Sequence, residues 1–391
     1  MKKTIYGKGT VFIMKIHVSA GAHARKHALI HTAVTAEQLC GIDTAAAVAL
    51  RYDGGKKLPA QLKKNGEDYT LSFVLDYLAK GEEASLTLVN TDVCDRFAAV
   101  DLAEEGRVAL MADGAEYTAY RYNIGFAKPH IGPIVNKYGE NITRYDFTVK
   151  EHPHHRSIWF SHGSVKVENA ETGFVSAEVD TWNENPHYGY IKTQKITETV
   201  AGPVYCAFTA ENMWTDEDGN PLCNDVTTVT MTHPEEGIVY LDVDLTLIAA
   251  YGRVTLGATK EAGPIAVRMD ENLRADRTGT LTNAWGAVGE GEIWMKRSDW
   301  NDYYGTTEGG HVAGVAVFDN EANAKYPTYW HSRNYGLFAP NRYYIGGEEI
   351  IEAGESLNFK YRIVIHEGDT EAAGIREKFI DYAAAAEVSA E

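Results

Sequence analysis

Regular alternation of apolar and polar residues is the feature that most limits how this chain can fold. Within residues 240–247, leucine or valine alternates with aspartate or threonine. A period of two is typical of a β-strand with one buried and one solvated face. Further strand-forming runs occur at residues 10–18, 69–74, 85–89, 226–232, 238–248, 312–318 and 359–365. The sequence therefore predicts a mostly β fold.

Turn-forming segments separate these runs and favour antiparallel hairpins. Asp53-Gly54-Gly55 and residues 216–221 supply the Asp, Gly and Pro of tight reversals. The C-terminal region differs, because Ile375, Phe379 and Tyr382 have helical spacing and Asp369 or Thr370 can cap a helix. A short C-terminal helix over residues 369–386 is predicted.

The chain is long enough for two domains. Its 391 residues exceed one ordinary hydrophobic core, and the acidic segment 91–105 lacks a strong strand pattern. We expect a small N-terminal β-sandwich over residues 1–100. A much larger antiparallel sheet assembly, with the C-terminal helix and the site, is expected over residues 101–391.

Charge and cysteine usage narrow the class of protein. The formal net charge of −18 repels phosphate backbones and anionic membrane surfaces, so no nucleic acid or membrane partner is expected. No apolar run approaches the ~20 residues that span a bilayer. The four cysteines form no CxxC pair, which argues against a thiolate zinc site and predicts buried, reduced thiols in a cytoplasmic protein.

Residues 151–163 are the densest concentration of chemical groups. They contain four imidazoles, a guanidinium and an indole, namely His152, His154, His155, His162, Arg156 and Trp159. Imidazole can bind a metal or transfer a proton near neutral pH, and a guanidinium suits an oxygen-rich ligand. A surface loop or an accidental chelator is the alternative interpretation. Because the segment is internal and leads into an apolar run, we favour a functional loop before a buried strand.

Four other segments combine polar and aromatic residues of the kind that surround a sugar. Lys128 and His130 belong to a loop that two prolines, Pro129 and Pro133, stiffen, although a rigid surface loop would explain them equally well. The pair Lys260-Glu261 is also consistent with a surface ion pair. Trp182 belongs to a weaker group at residues 180–188. The longest segment, residues 325–341, can be a packed sheet edge or a binding segment, and it carries Tyr329, Trp330, His331, Arg333 and Asn334.

In their order and spacing, these segments resemble the PmoA-like family of bacterial proteins. The resemblance covers residues 10–366 and rests on residues 128–133, 152–156 with Trp159, His162-Gly163, Arg297 to Trp300 with Asp302-Tyr303, and 326–339. It implies a β-supersandwich similar to galactose-mutarotase-like sugar enzymes, with a sugar oxidoreductase of the same pathway as a partner. The family name evokes a membrane-embedded methane monooxygenase subunit, and we reject that function because the chain has no span. After Gly163, residues 164–167 depart from the family's usual turn.

The favoured hypothesis is a carbohydrate-active enzyme, a glycoside hydrolase or lyase, that cleaves or rearranges a glycoside or keto-glycoside. His154 or His155 would act as base or metal ligand, and His331 would be the second proton-transfer group. Arg156 and Lys260 would stabilise negative charge, and Glu261 would donate a proton or bind a metal. Residues predicted to bind the substrate are Lys128, His130, Trp159, His162, Trp182, Arg297, Tyr329, Trp330, Arg333 and Asn334.

Two questions stay open at this stage. A divalent metal, Zn, Mn or Fe, is one option for the cofactor, with His152, His154 and His155 as its ligands. The competing functions are a sugar mutarotase or epimerase, and a non-catalytic carbohydrate-binding or complex-forming protein.

Overall fold

Strands dominate this computed structural model, which describes residues 14–148, 151–184 and 187–391. The mostly β prediction is therefore confirmed. The strands are β1 (Lys15–Ser19), β2 (Arg25–Val34), β3 (Val48–Tyr52), β4 (Lys57–Asn65), β5 (Asp68–Leu78), β6 (Glu83–Asn90), β7 (Phe97–Leu102), β8 (Arg107–Ala112), β9 (Ala115–Arg121), β10 (His130–Ile131), β11 (Ile158–His162), β12 (Val165–Asn169), β13 (Phe174–Val175), β14 (Tyr190–Gly202), β15 (Cys206–Thr215), β16 (Pro221–Glu235), β17 (Ile238–Ile248), β18 (Arg253–Leu256), β19 (Ala262–Arg268), β20 (Thr280–Asn283), β21 (Trp300–Thr306), β22 (Val312–Phe318), β23 (Trp330–Ser332), β24 (Leu337–Pro340), β25 (Glu349–Ile351), β26 (Ser356–Glu367) and β27 (Glu387–Ala390). The α-helices are α1 (Glu290–Ile293) and α2 (Ile375–Ala383), and short 3-10 turns occupy Ala103–Glu105 and Glu271–Leu273.

Strands with strong local patterns lie where the sequence predicts them. β17 and β22 have the predicted ends, and the leucines and valines of β17 are buried while its aspartates and Thr246 are half-buried. The first predicted strand, residues 10–18, corresponds to β1 from Lys15, and its first four residues lie outside the described residues.

The C-terminal helix is shorter than the predicted span of 369–386. The Asp369 carboxylate accepts hydrogen bonds from the backbone amides of Glu371 and Ala372, at 3.1 and 2.8 Å. Asp369 therefore caps a turn that precedes α2, and the helix itself begins only at Ile375. After α2, the chain enters β27, which pairs antiparallel with β1. α2 thus begins six residues after the predicted start and ends three residues before the predicted end, and the strand pairing with β1 starts just beyond the predicted span.

The first compact unit contains the described residues up to Asp95 together with residues 202–204 and 380–391. Its seven strands form one antiparallel sheet in the order β2-β5-β4-β3-β6-β1-β27. The two edge strands, β2 and β27, also lie close together, so the sheet wraps around a single core. Ile16, Leu50 and Phe73 are fully buried in that core.

The second unit contains residues 96–201 and 205–379. Its main sheet has sixteen strands in the order β20-β21-β22-β26-β17-β16-β15-β14-β7-β8-β9-β10-β11-β19-β24-β23, and β13-β12-β18-β25 form a smaller sheet. Five strands that are adjacent in the main sheet, β10-β11-β19-β24-β23, turn one face toward the main core. Ile158, Val267 and Phe338 are fully buried on that face. The opposite face of these strands is the place of the candidate site.

Cysteine exposure differs from the prediction. All four cysteines are free, and Cys206 and Cys223 are buried within strands or at their ends. Cys40 and Cys94 are exposed because they lie in irregular segments between strands, so the prediction of burial is wrong for these two. None of the helices in the described ranges has the length and apolar character needed to cross a bilayer.

Candidate functional site

One face of five adjacent strands gathers imidazole, indole and guanidinium groups. Directly paired residues of antiparallel strands point to the same face, and so do residues two apart along one strand. The register therefore puts His130, Trp159, Arg268 and His331 on a single face. The pairs that establish it are His130 with Trp159, Trp159 with Ala266, Arg268 with Leu337, and His331 with Ala339. We call these four residues, with His152, His154, His155 and Arg156 from the loop above them, the histidine face.

The loop from Glu151 to Ser157 lies before the fully buried strand β11, as the sequence predicted. The Arg144 guanidinium donates hydrogen bonds to the carbonyl oxygens of Glu151 at 2.9 Å and His155 at 2.7 Å. His152 and Ser157 both have φ of 49°, a left-handed conformation that costs a non-glycine residue on the order of 1 kcal/mol. The contacts of Arg144 hold this strained loop against the sheet.

Aromatic rings are stacked in a column above Trp159. The ring of His155 stacks on Trp159 with centroids 5.0 Å apart, and His152 stacks on His155 at 4.8 Å. Tyr335 lies on His152 at 5.0 Å, and Trp182 meets the edge of Trp159 at 5.2 Å. Because Trp159 is fully buried and His155 stacks on its ring, the indole supports an imidazole and has no exposed face for a sugar.

Burial keeps four imidazoles of the histidine face neutral, those of His130, His154, His155 and His331. Loss of hydration lowers the pKa of His154, His331 and His130 to about 3, with further contributions from Lys128, Arg333 and Arg156 respectively. Burial, and then the neighbouring His154, also places the pKa of His155 well below its usual value. A neutral imidazole has a ring nitrogen that can accept a proton or a hydrogen bond.

A half-buried carboxylate balances two buried cations beside these imidazoles. Glu184 accepts hydrogen bonds from both terminal nitrogens of Arg156, one of them at 2.7 Å, and from Lys128 Nζ at 3.3 Å. Burial alone would raise the pKa of Glu184, but the bonds and charges of Arg156 and Lys128 lower it to about 2. Burial lowers the pKa of Lys128 to about 8, although Glu184 opposes this shift. Lys128 Nζ also donates to the Trp182 carbonyl oxygen at 2.7 Å.

Charged groups of both signs surround His155 and His331, with Arg268 fully buried and the pair Lys260-Glu261 partly exposed. Arg268 donates to Glu151 at 2.9 Å, lies 3.3 Å from His155 Nδ1 and packs 4.8 Å from the Tyr335 ring. Lys260 Nζ lies 3.2 Å from Glu261, and this pair is partly solvent-exposed. The Lys260 backbone hydrogen-bonds His331, and the charges of Lys260 and Arg333 both contribute to the lowered pKa of His331. The predicted residues Lys260, Glu261, His331 and Arg333 therefore lie in one neighbourhood.

Several buried polar atoms of this region have no hydrogen-bond partner in the described part of the chain. They are His154 Nε2, His331 Nδ1, Trp159 Nε1, both ring nitrogens of His130, and the Nε atoms of Arg156, Arg268 and Arg333. Buried polar groups in proteins are almost always hydrogen-bonded to protein or ordered water. Their concentration here marks a place where bound ligand or water would complete the hydrogen bonding.

Other predicted site residues have different surroundings. Trp330 lies on the opposite side of β23, in the main core, and its Nε1 donates to the Ser298 carbonyl oxygen at 2.8 Å. His162 is buried against Tyr343, with ring centroids 4.5 Å apart.

The remaining predicted residues hold neighbouring segments in place. Arg297 lies over the Tyr329 ring at 4.7 Å and donates to the Pro327 carbonyl oxygen. Asn334 Oδ1 accepts the amide of Glu290 at 3.0 Å, and Arg333 forms an ion pair with the same glutamate. These contacts fix loops around the site and leave the roles of Arg297, Tyr329 and Asn334 as predictions.

The three predicted metal ligands do not converge on a point. The rings of His152 and His155 are stacked with an interplanar angle of 9°, so they face each other and cannot both direct a nitrogen at one ion between them. The Arg268 guanidinium, a competing cation, lies beside His155 Nδ1. Within the three described ranges, no group of three His, Cys, Asp or Glu side chains is arranged to hold a metal. This donor set therefore does not fit a metal ion as arranged here.

Sequence reasoning missed four residues of the site, Arg144, Glu184, Arg268 and Tyr335. Glu184 stands two residues after Trp182, and the need to neutralise a buried Arg156 could have drawn attention to it. Tyr335 lies inside the aromatic segment 325–341. No motif marks Arg144 or Arg268, whose roles depend on strand pairing.

Comparison with known proteins identifies a family without a known activity. Two solved structures from Enterococcus faecalis are similar to this chain. One is a protein in glycosyl hydrolase family 38, with a TM-score of 0.48 and 8% sequence identity, and the match covers 98% of this chain and 48% of that protein. The other is an alpha-mannosidase from strain V583, with a TM-score of 0.46 and 8% identity, and the match covers 97% of this chain and 46% of that protein. The chain spans about half the length of each, and likenesses of this size carry no argument about activity. No curated protein is significantly similar. A family model matches residues 107–380 and does not confirm the PmoA-like resemblance. The chain thus belongs to the Family of unknown function (DUF6807).

Proposed function

We propose that this chain is a carbohydrate-active enzyme that cleaves or rearranges a glycoside by proton transfer at the histidine face. The observation that carries the proposal is the pair of neutral imidazoles with unpartnered ring nitrogens, His154 Nε2 and His331 Nδ1. Trp182 lies between the two histidines' neighbourhoods. Its ring centroid is 6.4 Å from that of His331 and 6.0 Å from that of His155, which contacts His154. A sugar can supply the hydroxyl donors and acceptors that these nitrogens lack.

A keto-glycoside is the substrate whose chemistry suits this arrangement. The C–H bond next to the ketone is acidic, and a neutral imidazole, His154 or His331, removes that proton. The electron pair of the C–H bond moves toward the ketone oxygen, where the charge of Arg156 or Lys260 stabilises it. Collapse of the enolate breaks the glycosidic C–O bond, and the departing oxygen takes up the proton that the imidazole removed, either directly or relayed through the Glu261 carboxylate.

The low pKa of the imidazoles has a consequence for this mechanism. A group with a pKa of about 3 is a weak base in the free protein. Negative charge developing on the substrate would favour the imidazolium and raise that pKa toward the value of an efficient base. A sugar oxidoreductase of the same pathway would supply the ketone, and epimerisation would follow if the proton returned to the opposite face before bond cleavage.

Non-catalytic carbohydrate binding is the second candidate, and the same weak basicity favours it. An imidazole that stays neutral throughout the physiological pH range can bind a sugar by hydrogen bonds without accepting a proton. Binding alone would use the unpartnered nitrogens without proton transfer.

The test is turnover of methyl β-D-glucopyranoside and its 3-keto derivative by the whole chain and by three variants. His154→Ala and His331→Ala are each expected to lower kcat by about 100-fold or more, the usual effect of losing a general acid or base. His23→Ala, which changes an exposed histidine of the other unit, is the matched control. Equal activity in all three variants would contradict the proposal. Saturable binding without turnover by the unsubstituted chain would favour the second candidate.

A further inference from the structure

A cleft of about 490 Å³ lies in the larger unit and shares no residue with the histidine face. The turn between β8 and β9, the loop at residues 135–142 and the turn between β16 and β17 contribute to its walls. Val135, Ile142 and Ile238 give it an apolar lining. A concave apolar surface of this volume is large enough for a small organic ligand.

One carboxylate in this cleft lacks a cationic partner. Glu367 accepts the backbone amide of Lys137 at 3.1 Å, and across the described ranges no lysine, arginine or histidine forms an ion pair with it. The other carboxylates of the lining do have cations: Asp113 pairs with Arg96, Glu116 with Arg107, Glu235 with Lys378 and Glu236 with Lys137. Glu367 is therefore the carboxylate of the cleft that can receive a charged ligand without breaking an ion pair.

Two hydrogen-bonding groups accompany Glu367. The ring of His233 lies 5.2 Å from that of Tyr117, and its buried Nε2 atom has no partner in the described part of the chain. Burial and the charge of Arg96 lower the pKa of His233 to about 4, so its ring is neutral at pH 7. Burial and the charge of Glu367 raise the pKa of Tyr117, so its hydroxyl keeps its proton and an oxygen lone pair. Both groups can accept hydrogen bonds from an ammonium.

We propose that this cleft binds a primary ammonium group that carries an apolar body, such as an arylalkylamine. Glu367 would be the counter-ion, His233 Nε2 and the Tyr117 hydroxyl would accept N–H bonds, and Val135, Ile142 and Ile238 would contact the apolar part. Charge complementarity supports the sign of the ligand, because the lining has five carboxylates against Arg96 and Lys137. The net charge of −18 adds a long-range attraction for cations.

Calorimetric titration of the whole chain with phenethylamine at pH 7 tests the proposal, with phenethyl alcohol as the neutral isostere. Saturable amine binding at least 10-fold tighter than alcohol binding is expected. Glu367→Gln keeps the acceptor for the Lys137 amide and should weaken amine binding by about 10-fold to 100-fold, the usual effect of losing a charged hydrogen-bond partner. Alcohol binding should not change.

One further variant and two controls make the result specific. Tyr117→Phe retains the ring contact with His233 and should weaken amine binding several-fold, which keeps the test valid if Glu367→Gln fails to fold. Two controls lie outside the cleft: Glu171→Gln, at an exposed position, and His154→Ala. Both should leave the affinity for the amine unchanged. Absence of saturable amine binding, equal affinity for the alcohol, or an equal loss in Glu171→Gln would overturn the proposal.

Discussion

Replacing Glu184 by Gln should destabilise the larger unit strongly, because the substitution leaves Arg156 and Lys128 without their counter-ion. Both cationic side chains are almost fully buried, with 8% and 2% of their surfaces exposed. The pKa of Glu184 falls from 4.5 to about 2 in the folded chain. At 1.36 kcal/mol per pKa unit, this difference corresponds to roughly 3 kcal/mol of stability. Breaking a buried ion pair by removing one partner costs a similar amount, about 3–5 kcal/mol.

The pH dependence of this loss distinguishes charge from shape. A carboxyl whose pKa is lowered by folding contributes its full stabilisation above the unfolded value of 4.5 and loses it as the pH falls toward 2. The difference between the two proteins should therefore be about 3 kcal/mol at pH 7 and about 2 kcal/mol at pH 3.5. Urea unfolding followed by tryptophan fluorescence measures it, with Glu171→Gln as the exposed control. A loss under 1 kcal/mol at pH 7, or an equal loss at both pH values, would refute the reasoning.

Four further outcomes are expected. Trp330→Phe should cost about 2 kcal/mol of stability in urea unfolding without changing glycoside affinity, because the indole fills the core and donates to a backbone carbonyl. Gly163→Ala should cost ~1–3 kcal/mol in the same assay, since a Cβ there would lie 2.6 Å from the Glu261 carbonyl oxygen. In NMR titrations, the ring signals of His154 and His331 should not titrate between pH 5 and 8. Because folding lowers the pKa of both histidines from 6.5, the unfolded chain binds their protons more readily than the folded chain does. The melting temperature should therefore fall as the pH drops below 6.5. Mass spectrometry of the purified chain should find no stoichiometric divalent metal, and a full equivalent removed by chelation would contradict the poor fit of the donor set.

Local patterns in the sequence were enough to predict the elements that depend on local structure. Alternation located β17 at both ends, since one buried face imposes a period of two. A continuous apolar, strand-forming run located β22, which is buried along almost its whole length. The same period implies that Trp330 and His331 point to opposite faces of β23, a consequence that the interpretation of segment 325–341 did not use. The end of α2 was missed because the chain leaves the helix after Ala383 to reach β27, which pairs with β1 more than 360 positions earlier.

The composition of the site was only partly predictable. The density of histidines at residues 151–163 identified the loop, and strand pairing explains why His331 joins it from a distant segment. Glu184 pairs with Arg156 across 28 residues, and Arg268 approaches His155 across 113. Neither contact follows from a spacing, because each depends on which strands become neighbours in the sixteen-stranded sheet.

The most direct test of the central claim is NMR of histidine-labelled protein titrated with the methyl 3-keto-β-D-glucoside. If the histidine face binds and activates this sugar, the ring signals of His154, His155 and His331 will shift with saturation while that of His233 stays in place. Shifts confined to His233, or none on the histidine face at saturating sugar, would contradict the account.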